Sequence, residues 1–217
     1  MSQWEMMNEM NNAFLALPIE KQERIINAAL EVFSKNDYKK ANTDDIAAIA
    51  GISKGSLFYY FKNKESLFLY LFDYVNKLTN EYIKNDGCLE ITDFFEIMEH
   101  GAKSKLMLLA KNPYILEFIM NCYFQENSPV SKRISESIND VIAGVYTTYF
   151  SHIDTSKFKE GIQFEDVYSI LLYATEGYVL TVRHTHQKLD IDAMMKEFYK
   201  WVRLFKKMVY KEEYLDE

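Results

Sequence analysis

The sequence predicts an all-α protein of about nine helices, and three observations support this fold class. Glycine and proline, 7 and 3 of 217 residues, are too scarce for the frequent turns of an all-β chain. Apolar residues recur at helical spacing, for example at Ile25, Ala28, Val32 and Phe33. Capping residues separate these stretches from one another, so we expect long helices with few breaks.

The N-terminal third predicts two short helices between two longer ones. Residues suited to helix starts stand at Pro18, Asn42, Ser53 and Asn63. The first helix should end near residues 36–37, the second at Gly51, the third near residue 61 and the fourth near residue 84. Short helices joined by a tight turn that contains glycine are typical of a helix-turn-helix.

The remainder of the chain is also predicted to be helical. A fifth helix is expected over about 92–110, a sixth from Pro113 to about 126–127, and a seventh from Ser128 to about 152. Residues 153–162 are polar and predict a loop. Two long helices, about 163–186 and 190–214, should close the chain.

Charge and cysteine content narrow the classes of partner and compartment. The formal charge is −7, but residues 18–64 hold eight basic against six acidic residues, a net of +2 that leaves −9 elsewhere. A mildly basic N-terminal module can still dock on phosphates.

Residues 1–17 lack the pattern of a signal peptide, and no stretch approaches the ~18 apolar residues of a membrane span. Cys88 and Cys122 predict free thiols in a reducing cytoplasm.

The third predicted helix carries the most informative surface. Leu57 and Phe61 are four residues apart and share one face, which should be the buried one. Gly55, Ser56, Tyr59 and Tyr60 would then point largely outward. Such a helix suits the major groove, where small residues let the backbone approach base edges. The alternative is that the tyrosines simply belong to the core.

Residues 25–69 resemble the DNA-binding domain of the TetR repressor family. The resemblance rests on Ala28-Ala29 followed by Phe33, on Ile46-Ala47 with Gly51, on the run from Ser53 to Phe61, and on Lys64-Glu65-Ser66-Leu67. Two positions depart from the family pattern. Phe58 replaces a common tyrosine, which removes a hydroxyl that could bind a phosphate, and Asp37 replaces a common glycine.

The resemblance implies a dimeric, sequence-specific transcriptional regulator that binds a near-palindromic double-stranded operator. Lys54, Gly55 and Ser56 would read bases, whereas Asn42 and Lys64 would bind phosphates. The full set of predicted DNA-binding residues is Asn42, Thr43, Ser53, Lys54, Gly55, Ser56, Tyr59, Tyr60 and Lys64. The predicted domains are the helix-turn-helix domain, 18–64, and a helical effector-binding and dimerisation domain, 65–217.

The helical body is rich in aromatic residues, and the family resemblance implies an effector pocket and a homodimer interface there. A small, largely apolar effector would suit such walls. Its predicted contacts are Phe95, Met98, Phe118, Cys122, Tyr146, Tyr149 and Glu176. The predicted dimer contacts are Leu171, Ala174, Tyr178, Phe198, Trp201 and Phe205. For the aromatic, apolar and sulfur-containing residues a place in the intrachain core is the alternative, and for Glu176 the alternative is a solvated position.

Catalytic and metal-binding patterns are absent from the sequence. The four histidines are scattered, and neither a nucleophile elbow nor a phosphate-binding loop occurs. We therefore expect neither an enzyme nor a cofactor. The leading hypothesis is a repressor released from its operator by the effector, and the alternative is a DNA-binding adaptor that acts through a protein partner.

Overall fold

Nine α-helices form the framework of the chain in this computed structural model, which describes residues 12–84, 87–123, 128–185, 187 and 189–215. The helices are α1 Ile19–Lys35, α2 Thr43–Ala50, α3 Lys54–Phe61, α4 Lys64–Lys84, α5 Phe94–Lys111, α6 Tyr114–Tyr123, α7 Ser131–Tyr149, α8 Phe164–His184 and α9 Ile191–Val209. Short 3-10 helices occur at Cys88–Glu90, Thr155–Lys157 and Glu212–Tyr214. The all-α prediction is confirmed.

The clearest difference from the predicted helix ends is at the C-terminus. The last helix ends at Val209 instead of continuing to about 214, because Tyr210 adopts an extended conformation and forms an antiparallel bridge with Phe158. Backbone hydrogen bonds flank the bridge, from Lys159 N to Val209 O at 2.8 Å and from Lys211 N to Lys157 O at 3.0 Å. The expected end of the sixth helix near residues 126–127 lies outside the described residues.

The first compact unit comprises Met1–Tyr82 and Leu106–Gly144. Its core holds the helix-turn-helix, and α6 packs along α1 within it. The side-chain amide of Asn121 on α6 donates to the carbonyls of Phe33 and Ser34 at 2.9 and 3.1 Å. The rings of Phe33, Phe68 and Phe118 meet at centroid distances of 4.9 to 6.4 Å. The predicted domain boundary after Lys64 stays a prediction.

The second compact unit comprises Ile83–Lys105 and Val145–Glu217. Its core is aromatic, and an ion pair lies beside that core. Asp93 caps the N-terminus of α5 by accepting from the Phe95 amide, and the Lys157 ammonium lies 2.9 Å from its carboxylate. Burial raises the pKa of Asp93, but hydrogen bonds from Lys157 and the Glu96 amide outweigh burial and leave this pKa below its ordinary value.

Candidate nucleic-acid interface

Two capped helix ends and one glycine build the turn between α2 and α3. Asn42 caps α2 by accepting from the Asp44 amide at 3.0 Å, and Ser53 caps α3 by accepting from the Ser56 amide at 3.0 Å. Gly51 ends α2 with φ of +63°, and the Ile52 amide reaches back to the Ala47 carbonyl at 3.0 Å. An added Cβ at Gly51 would meet no atom within 4 Å, so its backbone conformation alone favours glycine here.

Helix α3 exposes fewer side chains than the sequence predicted. Leu57 and Phe61 are buried as expected, and Tyr59 is 69% exposed. The expectation that Tyr60 points outward is wrong, because this residue is only 8% exposed. Tyr60 stands three positions after Leu57, and residues at that spacing share one face of a helix.

A helical turn at residues 12–15 explains the burial of Tyr60. Phe14 is fully buried, and its ring centroid lies 6.2 Å from that of Tyr60 and 4.8 Å from that of Phe61. Gln22 on α1 fixes this segment by donating to the carbonyls of Leu15 and Leu17 at 3.0 and 2.8 Å. Residues 1–11 lie outside the described part of the chain.

The small residues of α3 lie at its N-terminal end. Gly55 is exposed, and a Cβ built there would meet only the Ser53 hydroxyl, at 3.8 Å. The hydroxyls of Ser53 and Ser56 are hydrogen-bonded to each other at 2.8 Å. Phe58, which lacks the hydroxyl common at its position, is half-buried with the Lys54 ammonium 6.0 Å from its ring centroid. A close approach of the α3 backbone to a ligand is therefore possible at Gly55.

Both predicted lysines have partners within the protein. The Lys54 ammonium forms an exposed ion pair with Asp44 on α2 at 3.0 Å. The Lys64 ammonium donates to the carbonyls of Lys39 and Ala41 at 3.3 and 3.0 Å, and it lies 4.7 Å from the Tyr38 ring centroid. Desolvation lowers the pKa of Lys64. Lys64 therefore fastens the 38–41 segment to the start of α4.

The nine predicted DNA-binding residues differ in exposure. Asn42, Ser53, Lys54, Gly55 and Tyr59 are exposed. Ser56 and Lys64 are half-buried, whereas Thr43 and Tyr60 are buried. The sequence reasoning missed Arg24, whose guanidinium donates to the Ala50 carbonyl at 2.8 Å and so ties α1 to the end of α2.

The predicted effector contacts do not come together in one cluster. Phe118 and Cys122 are buried in the core of the first unit. Phe95 and Tyr149 are buried in the core of the second unit, and Met98 and Tyr146 pack against that core. Glu176 is exposed.

Most of the predicted dimer contacts are used inside the chain. Leu171 is fully buried, and the rings of Tyr178 and Trp201 meet at 6.2 Å. Phe198, Trp201 and Phe205 pack against the second core, and Ala174 is half-buried. The exposed apolar residues of α8 and α9 are instead Ile170, Tyr173, Leu180, Leu204 and Met208.

Two other kinds of site are absent from the described residues. They contain no cluster of three or more histidine, cysteine, aspartate or glutamate residues that could hold a metal ion. Across the same residues, no helix has the length and apolar character needed to cross a membrane.

The chain is similar to known bacterial regulatory proteins. Residues 25–71 match the family described as bacterial regulatory proteins, tetR family. The chain is 25% identical over 191 residues to the fatty acid metabolism regulator protein of Bacillus subtilis, covering 80% of this chain and 89% of that protein. It is 26% identical over 191 residues to the HTH-type transcriptional regulator QacR of Staphylococcus aureus, covering 85% and 95%.

A solved structure shares the fold. The crystal structure of a transcriptional regulator FadR from Bacillus subtilis in complex with stearoyl-CoA matches with a TM-score of 0.59 and 22% identity, covering 83% of this chain and 96% of that chain. The matched segment, residues 25–71, contains the helix-turn-helix with its capped turn at Gly51 and the exposed face of α3. Residues 25–71 are therefore similar to the tetR family of bacterial regulatory proteins, and most of the chain is similar to two bacterial regulators and to one solved regulator structure.

Proposed function

We propose that this protein is a dimeric, sequence-specific repressor that leaves its operator when a small, largely apolar effector binds. The observation that carries the DNA-binding part is the exposed end of α3, where Tyr59, Lys54 and Gly55 stand on a helix held by a buried opposite face. Tyr59 offers a hydroxyl and a ring to bases or phosphates, and Gly55 permits close approach.

Operator recognition is tested by competition binding. Labelled DNA from around the gene's own promoter should bind tightly and with strong salt dependence, because phosphate contacts release counterions. Unlabelled promoter DNA should compete far better than random duplex of equal length. Equal competition by the two duplexes would refute sequence-specific binding.

A second copy of the chain is the partner we propose for the outer face of α8 and α9. Ile170, Tyr173, Gly177 and Leu180 repeat at intervals of three and four, so they share one face of α8. Leu204 and Met208 on α9 are also exposed. One recognition helix reads only a few base pairs, so specific binding needs two modules about 34 Å apart on a near-palindrome.

A matched pair of leucine substitutions tests this dimer face. Leu204 on α9 is 52% exposed and Leu89 in a 3-10 helix is 47% exposed, so both tolerate a charge in the folded chain. Leu204→Glu should shift the protein from dimer to monomer in sedimentation velocity, whereas Leu89→Glu should leave it dimeric. A dimer that persists in Leu204→Glu at low micromolar concentration contradicts the proposed face.

The effector proposal rests on the aromatic body and on one structural relative. The FadR structure was solved in complex with stearoyl-CoA, and the second core of this chain is built of apolar, largely aromatic side chains. We propose that the effector here also carries a long apolar group. Its binding would change the spacing of the two recognition helices and so lower operator affinity.

Stearoyl-CoA is a suitable first probe, with free coenzyme A as its matched control. A ligand at 100 times its Kd stabilises the folded state by about 2.7 kcal/mol, which a thermal shift detects. Stearoyl-CoA should raise the melting temperature and release the operator, and free coenzyme A should do neither. If no acyl compound of any length does so, the adaptor that acts through a protein partner becomes the better description.

A further inference from the structure

Lys62, the residue that follows the recognition helix, has an unusual backbone conformation. Its φ is +59° and its ψ −50°, and it is the one non-glycine residue with positive φ in the described chain. The Asn63 amide donates to the Phe61 carbonyl across it, which defines a classic γ-turn. This conformation is strained for a residue with a side chain, and glycine would adopt it more easily.

The turn at Lys62 is fixed from both sides. The Lys62 amide donates to the Phe58 carbonyl at 2.8 Å and so completes the last turn of α3. Asn63 caps α4 by accepting from the Ser66 amide at 2.8 Å. The strain at Lys62 is therefore imposed by the junction between the two helices, and a lysine stands at a position where glycine would relieve it. Strained residues concentrate at functional sites.

Most other basic side chains of the helix-turn-helix already have a partner within the protein. Within residues 18–64, the groups with a hydrogen bond or ion pair to the protein are Arg24, Lys35, Lys40, Lys54 and Lys64. Lys21 lies 6.0 Å from the Tyr60 ring centroid. Among the described residues, the side chains of Lys39 and Lys62 show neither a hydrogen bond nor an ion pair, and both residues are exposed.

We propose that Lys62 binds a backbone phosphate of the operator and is a principal phosphate anchor of the recognition helix. Lys62 directly follows the last residue of α3, so this exposed lysine stands at the C-terminal end of the helix that carries the exposed Tyr59. An exposed ammonium that is not committed elsewhere gives up no internal partner when it meets a phosphate. This inference rests on the DNA-binding function proposed above.

Three substitutions at one position separate charge from backbone strain. Lys62→Gln should lower operator affinity about tenfold and reduce the slope of log K against log salt by about 1, because one phosphate contact is lost. Lys62→Arg should retain both. Lys62→Gly should lose affinity as Lys62→Gln does, yet it should raise the melting temperature because glycine accepts the positive φ.

Lys103→Gln on α5 is the matched control, because it removes one exposed positive charge from another part of the chain. An equal loss of affinity and slope in Lys103→Gln would assign the effect to net charge and overturn the proposal. An unchanged slope in Lys62→Gln would also overturn it while wild-type protein still prefers its operator. If wild-type protein fails to prefer the operator over random duplex, the proposed function itself fails.

Discussion

Two adjacent tyrosines on the recognition helix should respond to alanine substitution in opposite ways. Tyr59 is 69% exposed, whereas Tyr60 is 8% exposed and packs against Phe14. A buried aromatic side chain removes about 150–250 Å² from water. At about 25 cal/mol per Å² this burial corresponds to roughly 4–6 kcal/mol as an upper estimate.

Tyr60→Ala should therefore lower the free energy of unfolding by about 3–5 kcal/mol, in the range measured for buried aromatic residues. Tyr59→Ala should change it by less than about 0.5 kcal/mol, because most of its surface is already in water. When the affinities of the folded proteins are compared, Tyr59 should matter more for operator binding than Tyr60 does. Tyr59→Ala should weaken binding strongly, and Tyr60→Phe, which keeps the ring, should bind as wild type does.

Urea unfolding followed by circular dichroism gives the free energy of unfolding, and fluorescence anisotropy with operator DNA gives the affinity. Both are measured for Tyr59→Ala, Tyr60→Ala and Tyr60→Phe. Equal urea midpoints for Tyr60→Ala and wild-type protein would refute the buried assignment. A weakened affinity in Tyr60→Phe at unchanged stability would show that the Tyr60 hydroxyl reaches the DNA.

Three further predictions follow from buried polar groups. Asn121→Ala leaves two carbonyls at the end of α1 without their donor, so the free energy of unfolding should fall by about 1–3 kcal/mol in urea; an unchanged urea midpoint contradicts this. Because the folded-state pKa of Asp93 is below its unfolded value of about 3.9, its carboxylate contributes stability above about pH 4 that is lost as the pH falls through the folded pKa. Asp93→Asn should therefore have a lower free energy of unfolding than wild type at neutral pH, and this free energy should fall less on acidification. A fall with decreasing pH as steep as that of wild type would contradict the ion pair with Lys157. Burial raises the pKa of Cys88 and Cys122, so both thiols should react with a disulfide reagent only after denaturant is added, whereas rapid reaction in the native protein would contradict their burial.

The helix-turn-helix was predictable because its signals are local. Asn42, Ser53 and Gly51 act through neighbours at most four residues away, and each performs the capping role that the sequence indicates. The buried pair Leu57 and Phe61 was also predicted correctly from spacing alone. These residues determine the course of the backbone, so α3 could be placed before any tertiary contact was known.

The sequence predictions are wrong where contacts with residues distant in the sequence determine the structure. Tyr60 is covered by Phe14, 46 positions earlier in the chain, and helix periodicity alone gives only its spacing from Leu57. The last helix stops at Val209 because Tyr210 pairs with Phe158 in a segment that the sequence predicted as a polar loop. The apolar stripe of α9 likewise contains both residues that pack in the intrachain core and residues that are exposed. Helical spacing alone does not show which side of such a stripe is buried.

The packing of α6 along α1 determines whether the helix-turn-helix, residues 18–64, can be exchanged between regulators. Phe118 on α6 lies against the rings of Phe33 and Phe68, and Asn121 closes the end of α1. A chimera cut after Lys64 would pair one protein's α1 with another protein's α6, which leaves aromatic surface and two carbonyls mismatched. For the operator-binding role proposed above, replacing the exposed residues of α3 should therefore transfer specificity better than grafting the whole segment.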